Sequence, residues 1–299
     1  MINVDIKEYE ELPKLLFRED LEIVGFEILK MKDFYEKYDS SLLASPKILK
    51  FYEILFIEDG QGKHFIDFET YSFKRGSILF IGKNQTHSWQ EYRSSNGYII
   101  LFTENFLYKN QMQFNELSYS YPYNTALYSP ITNITNNKHF ISFLSLIKLI
   151  YEEYRDVAYQ VRQEVLQSLL RTLILKIKSQ LPTLEIPNDD KKTLFIQFQK
   201  ALDQHMFHTR NAKDYIDMLG CSAHQLNLVV KTFTNKSVKV FIDSMLILNA
   251  KRLLADSQYN VSEASYLLGF EETTNFTKFF KKHTNQTPSQ FKEVILKQG

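Results

Sequence analysis

Apolar residues follow different rhythms in successive parts of the chain. From about Leu21 to Phe102 they come as short runs between turn residues: Leu21 to Leu29, Ile48 to Ile57, His64 to Phe68, Ser77 to Ile81, then segments through Trp89 and from Tyr98 to Phe102. The breaks at Asp59-Gly60-Gln61-Gly62 and Arg75-Gly76 are turn signals, so these runs predict β-strands. Many short strands at regular spacing predict a small barrel or sandwich. Leu107 to Asn137 is polar, rich in Asn, Tyr and Ser, and contains Pro122 and Pro130; it reads as an excursion covering the barrel mouth.

The rhythm then turns helical. Phe140, Phe143, Leu144, Ile147, Ile150, Tyr151, Tyr154 and Val157 keep a heptad-like spacing, and Val165, Leu166, Leu169, Leu170, Leu173 and Ile177 repeat it. This predicts a helical hairpin, packed on the barrel or used as a dimer interface; both readings stay open. Leu181 to Asp190, with two prolines and a closing acidic pair, reads as a linker. A helix from Leu194 to Met206 opens the next domain.

Two helix-turn-helix patterns follow. Tyr215, Ile216 and Leu219 line a helix, Gly220 makes the turn, and Ser222 is placed to N-cap a helix burying Leu226, Val229, Val230 and Phe233. After a connecting helix from about Val240 to Ala255, Val261, Ala264, Ser265 and Leu268 form one helical face and Gly269 turns the chain. Phe276, Phe279 and Phe280 then line a second helix. The two turn glycines are 49 residues apart, so two recognition helices joined by one rigid helix could enter successive major grooves about 34 Å apart. Exposed polar positions supply candidates for base contacts at His224, Asn227, Thr273, Thr274, Thr277 and Lys278. Ser222, Lys231, Lys236, Lys281 and Lys282 are candidates for phosphate contacts, although lysines on a helix also serve simply as a solvated face.

The last hundred residues resemble the DNA-binding domain of the AraC/XylS family of bacterial transcription regulators. The resemblance rests on Ala250, Leu253, Leu254, Glu263, Gly269-Phe270, Phe276, Phe280-Lys281-Lys282, Thr287-Pro288 and Phe291. Asn235 and Asn285 stand where that family usually has Gly, and Asn is the next-best residue for a left-handed helix end. Leu228 replaces an Arg that often reads bases, leaving His224, Asn227 and Lys231 as the first unit's remaining candidates. The order of strands also resembles the family's cupin-type effector domain, at Tyr52-Glu53-Ile54, Gly60, Gly62, Arg75-Gly76-Ser77 and His87-Ser88-Trp89. The resemblance implies a multi-domain chain. An all-β cupin-like sensor barrel (residues 1–135) and a helical dimerisation and relay region (136–180) precede the linker (181–190) and an all-α DNA-binding domain (191–299) with two helix-turn-helix units. The implied partners are double-stranded DNA, a small-molecule effector, a second copy of the chain and, for an activator, RNA polymerase.

Charge adds modest support. From Thr193 to Gly299 the basic and acidic residues give 13 − 9 = +4, while the rest gives 23 − 26 = −3, a basic end on an acidic body. Cys221 is the only cysteine, which excludes an internal disulfide, and nothing near it in sequence supplies the cationic setting of a reactive thiolate. The first residues lack a signal-peptide core, and the apolar helix from Phe140 to Tyr151 is too short for a bilayer and contains Lys148, so a cytoplasmic protein without membrane contact is expected.

Two other classes compete. Enzymatic cupins hold a metal with an HxH pair, a Glu and a later His. Here His64 and His87 fall in suitable regions but position 62 is Gly, so neither a metal nor another cofactor is expected, and His64, His87 and Trp89 are assigned to effector contact or packing. A helical protein-interaction adaptor is the second rival.

Overall fold

A computed structural model describes residues 25–107, 117–156, 160–180, 189–256 and 258–296. Of the sequence-predicted linker over 181–190, residues 181–188 lie outside these residues, as do the N-terminal stretch through Val24 and Val157, while Asp189 and Asp190 are not linker but open a helix. Among the described residues nine strands form two antiparallel sheets. In the first, β1 (Phe26–Lys30), β8 (Asn96–Phe102), β3 (Tyr52–Asp59), β6 (Ser77–Ile81) and β9 (Ile131–Asn133) lie in that order. In the second the order is β2 (Lys47–Ile48), β7 (Thr86–Trp89), β4 (Gln61–Ile66) and β5 (Glu69–Lys74).

The period-two alternation of a strand sorts the first sheet's side chains into two cores. Tyr52, Ile54 and Phe56 join Ile100, Phe102 and Phe80 on the outer face, where the helices α4 (Asn137–Arg155) and α5 (Arg162–Lys178) cover them through Phe140, Phe143, Leu166 and Leu170. Leu55 and Ile57 join Leu79, Ile81, Ile99 and Leu101 on the inner face, against Ile66, Phe73 and Trp89 of the second sheet. Both faces are buried, so these strands read as unbroken apolar runs.

The structure corrects the sequence reading at three places. The run Ile48 to Ile57 is not one strand: the chain bends at Lys50 and Phe51, placing β2 in the second sheet and β3 in the first. Leu49 marks the switch, donating its N–H to Gln85 and accepting from Asn84. Two helices interrupt the expected strands, α1 (Met31–Lys37) and α2 (Ser40–Ala44), the second N-capped by Asp39. Among the described residues they, and not the excursion after Leu107, border the barrel interior through Phe34, Tyr38 and Leu43. The described part of that excursion reaches the C-terminal domain: after α3 (Glu104–Leu107), the segment from Leu117 places Ala126 and Leu127 against the core of the next helices before β9 rejoins the first sheet beside β6.

That core belongs to α6 (Asp189–His205), α7 (Ala212–Leu219) and α8 (Ala223–Thr234). The long helix α9 (Val238–Ala255) crosses to a second set, α10 (Val261–Leu267), α11 (Thr273–Thr284) and α12 (Pro288–Leu296). The capping logic is local. Ser222 and Gln225 form a capping box at α8, Asn260 and Glu263 another at α10, and Asn235 and Asn285 end α8 and α11 at φ 59° and 61°. Gly220 and Gly269 take φ 61° and 73° at the two turns, in the left-handed region that glycine adopts without steric cost.

The barrel grips both helix sets. At the β4–β5 turn Asp67 accepts from Arg252 of α9 at both oxygens, 2.8 Å from Nε and 2.5 Å from Nη2. Next to it Phe68 meets Phe291 of α12 edge-on. On the other set, Asn124 and Gln199 exchange amide hydrogen bonds of 2.8 and 3.2 Å, and the Tyr119 hydroxyl donates to Asp203 at 2.5 Å.

Candidate DNA interface and effector pocket

Each helix pair buries one face and leaves the other to solvent. In α11 Phe276 and Phe280 are fully buried, which turns Thr274, Lys278, Lys281 and Lys282 outward. The three lysines have no partner among the described residues, so their charge is available to an anion. The threonines are tied locally: Thr273 Oγ1 is 3.2 Å from Ser262 Oγ, Thr274 donates to Glu272, and Thr277 donates to the carbonyl of Thr273. A hydroxyl with one local bond still has capacity for a base edge. Sequence reasoning passed over Glu272, which caps α11 by position while its side chain accepts from the Thr274 hydroxyl and from no backbone N–H of the helix. A carboxylate there disfavours a phosphate but can accept from a cytosine amino group.

The first unit presents less. Leu226, Val229 and Val230 are buried, and α8 exposes His224, Asn227, Leu228 and Lys231. Both polar ends of the Asn227 side chain are engaged, donating to Ala223 and accepting from the Val238 N–H, so it staples α8 to α9. Ser222 is occupied in its capping box, and the Lys236 ammonium bonds Ser244 on the wall of a cleft facing the barrel. Cys221 in the turn is half-buried, and burial raises its thiol pKa, as suits a small packed side chain.

The two units also interlock. Arg210, ahead of α7, donates to the carbonyls of Leu268 and Gly269 and lies 3.7 Å above the ring of Phe270. The turn of the second unit is thereby fixed against the first, and the spacing of the two exposed helices is set without DNA.

The second candidate site is a cavity of about 260 Å³ inside the barrel. His87 and Trp89 line it; His64 lies behind them, fully buried, with Nε2 3.2 Å from His87 Nδ1. Glu53, on the opposite sheet, lies 3.6 Å from His87 Nδ1. Burial dominates this group. It raises the Glu53 carboxyl to about 8, and with the nearby Lys47 cation it lowers His87 to about 4, so at neutral pH both are uncharged. His64 is likewise held well below the usual imidazole range. Among the described residues no group of three or more His, Cys, Asp or Glu is arranged to hold a metal.

An exposed pair of helix-turn-helix units fixed in register, behind a barrel with an apolar cavity, is matched at both ends by known families. A profile described as an AraC-like ligand binding domain matches residues 35–98, and one described as a helix-turn-helix domain matches residues 215–293. At both ends the chain therefore resembles AraC-type transcription regulators. It is 23% identical over 261 residues to the Msm operon regulatory protein of Streptococcus mutans, covering 87% of this chain and 90% of that one. To the HTH-type transcriptional activator RhaS of Escherichia coli it is 20% identical over 280 residues, covering 89% and 97%. Among solved structures, ToxT of Vibrio cholerae aligns over 91% of this chain and 98% of its own at 15% identity, with a TM-score of 0.46. This regulator thus joins a ligand-binding N-terminal domain to a DNA-binding C-terminal domain. Among its described helices none is long and apolar enough to cross a membrane.

Proposed function

We propose that this regulator binds its operator with α8 and α11 in successive major grooves, α11 supplying most of the base readout and α8 mainly anchoring the backbone. The supporting observation is the contrast between the two exposed faces. Lys278, Lys281 and Lys282 stand free on α11, whereas on α8 the amide of Asn227 is tied at both its nitrogen and its oxygen and Leu228 is 44% exposed where a polar reader would be useful. Lys278 and Thr274 contact bases; Lys231, Lys281 and Lys282 contact phosphates.

The barrel cavity is the effector site, and the route from it to the reader is short. His87 lines the cavity, its neighbour Thr86 donates its N–H to Asp67, and Asp67 holds Arg252 on the helix joining the two units. A ligand that shifts β7 therefore acts on α9 through one carboxylate. The regulator works as a cytoplasmic homodimer through the outer faces of α4 and α5, where Ile141, Leu149 and Leu175 are 54%, 48% and 65% exposed, and it contacts RNA polymerase as an activator.

The test is the salt dependence of DNA binding by the full-length protein. With about three lysine–phosphate contacts, log affinity falls against log salt with a slope of about −3 or steeper. A flat dependence contradicts DNA reading by these faces and favours a protein-binding adaptor.

A further inference from the structure

The barrel cavity contains one charge without a counter-charge. Nine of its fourteen lining residues are apolar or aromatic, with Phe34, Phe51, Trp89 and Leu101 among them. Of the five polar ones, Ser45 and Ser88 are neutral, and Glu53 and His87 are uncharged at neutral pH. That leaves Lys47. It sits on β2 directly across from His87 in the antiparallel register, so both side chains leave the sheet on the same face. Lys47 is half-buried, burial alone lowers its pKa, and it has no partner among the described residues. Its ammonium is close enough to His87 to help hold that imidazole uncharged.

A half-buried ammonium beside a greasy cavity is unfavourable unless something supplies the missing anion. We propose that the effector is a small apolar monocarboxylate whose carboxylate pairs with Lys47 and whose hydrocarbon or aryl body fills the aromatic cavity. This rests on the reading of the cavity as the effector site. The size of the cavity, about 260 Å³, limits the ligand to a compact body and leaves no room for a long chain. A sugar is disfavoured because its many hydroxyls would meet a wall that offers few hydrogen-bonding groups. Protonated Glu53 does not repel the carboxylate, and its hydroxyl can donate to it.

Trp89, the only tryptophan of the chain, lines the cavity, so its fluorescence reports occupancy without a label. The experiment titrates full-length protein with 3-phenylpropanoate, 3-phenylpropanamide and 3-phenylpropanol, following Trp89 emission, and repeats the series with Lys47→Met and Lys47→Arg. The parent should prefer the acid over the amide by about tenfold or more, the range of a charge-assisted bond to a buried group. Lys47→Met should abolish that preference while still taking up the alcohol, and Lys47→Arg should keep it. Equal affinity for acid and amide in the parent, or a preference that survives Lys47→Met, overturns the carboxylate assignment and leaves the cavity as an effector site for neutral ligands. If none of the three changes Trp89 emission in the folded parent, the effector-site reading itself fails, and this inference with it.

Discussion

The two helix-turn-helix units share a plan and differ in how tightly each part of it is constrained. Both turn on a glycine in the left-handed region, but a Cβ added at Gly220 would meet nothing within 4 Å, whereas one at Gly269 would sit 1.8 Å from the Phe207 carbonyl oxygen. The second turn is wedged against the first unit by Phe207 and Arg210; the first turn faces open space. The exposed faces are unequal too: free lysines on α11, a stapled Asn227 and a bare Leu228 on α8. The second turn is tightly packed and its unit exposes unpaired cations, while the first turn is open and its unit exposes fewer polar groups. Specificity depends on position, so the tightly packed unit is the better place to put it.

The largest expected effect follows from the turns. Gly269→Ala should destabilise the full-length protein by more than about 3 kcal/mol, because backbone must move as well as adopt an unfavourable φ. Gly220→Ala should lose only about 1–2 kcal/mol, the left-handed penalty alone. Chemical denaturation of the two variants side by side decides this, and equal losses would remove the asymmetry. The ties to the barrel differ next. Asp67→Ala leaves Arg252, 14% exposed at its side chain, without its carboxylate and should destabilise by about 2–3 kcal/mol. Asn124→Ala breaks a neutral amide pair on the first unit together with local bonds to Tyr119 and Ala126, and should lose about 1–2 kcal/mol.

Binding effects sharpen the same contrast. Lys278→Ala should weaken specific binding by about 1–3 kcal/mol and relax the sequence preference, while Lys282→Ala should weaken all duplexes alike and reduce the salt slope by about 1. Leu228→Ala should change operator affinity by less than about 0.5 kcal/mol. Gel-shift titrations on operator and scrambled duplexes separate the three, and a loss at Leu228→Ala matching that at Lys278→Ala would make the first unit an equal reader.

The C-terminal half was legible because its signals are local. Gly220, Gly269, Asn235 and Asn285 mark helix ends by their own backbone preferences, Ser222 caps the helix it precedes, and the buried phenylalanines keep helical spacing. The barrel was legible in outline and wrong in detail for the converse reason. Lys50 and Phe51 bend the chain between two sheets, yet nothing in an apolar run records which sheet each half joins. Helix α1 was missed although Met31, Phe34, Tyr35 and Tyr38 do fall at helical spacing and Asp39 is a ready N-cap for α2; the surrounding β rhythm concealed them. His87 and Trp89 were found as cavity residues, while Lys47 was not, since its significance depends on what fails to reach it in three dimensions. That Asn227 also accepts from the Val238 N–H, joining two helices, is a tertiary fact that spacing cannot supply.

Base reading by α11 is the feature on which the proposed function most directly depends. Full-length protein and its Lys278→Ala variant are each used to select from a pool of random duplex DNA, and the bound fractions are sequenced. The account predicts that the parent enriches one dominant block, with a weaker flank about one helical turn away, and that the dominant block loses definition in the variant. An unchanged dominant block in the variant, or two blocks of equal strength in the parent, would contradict it.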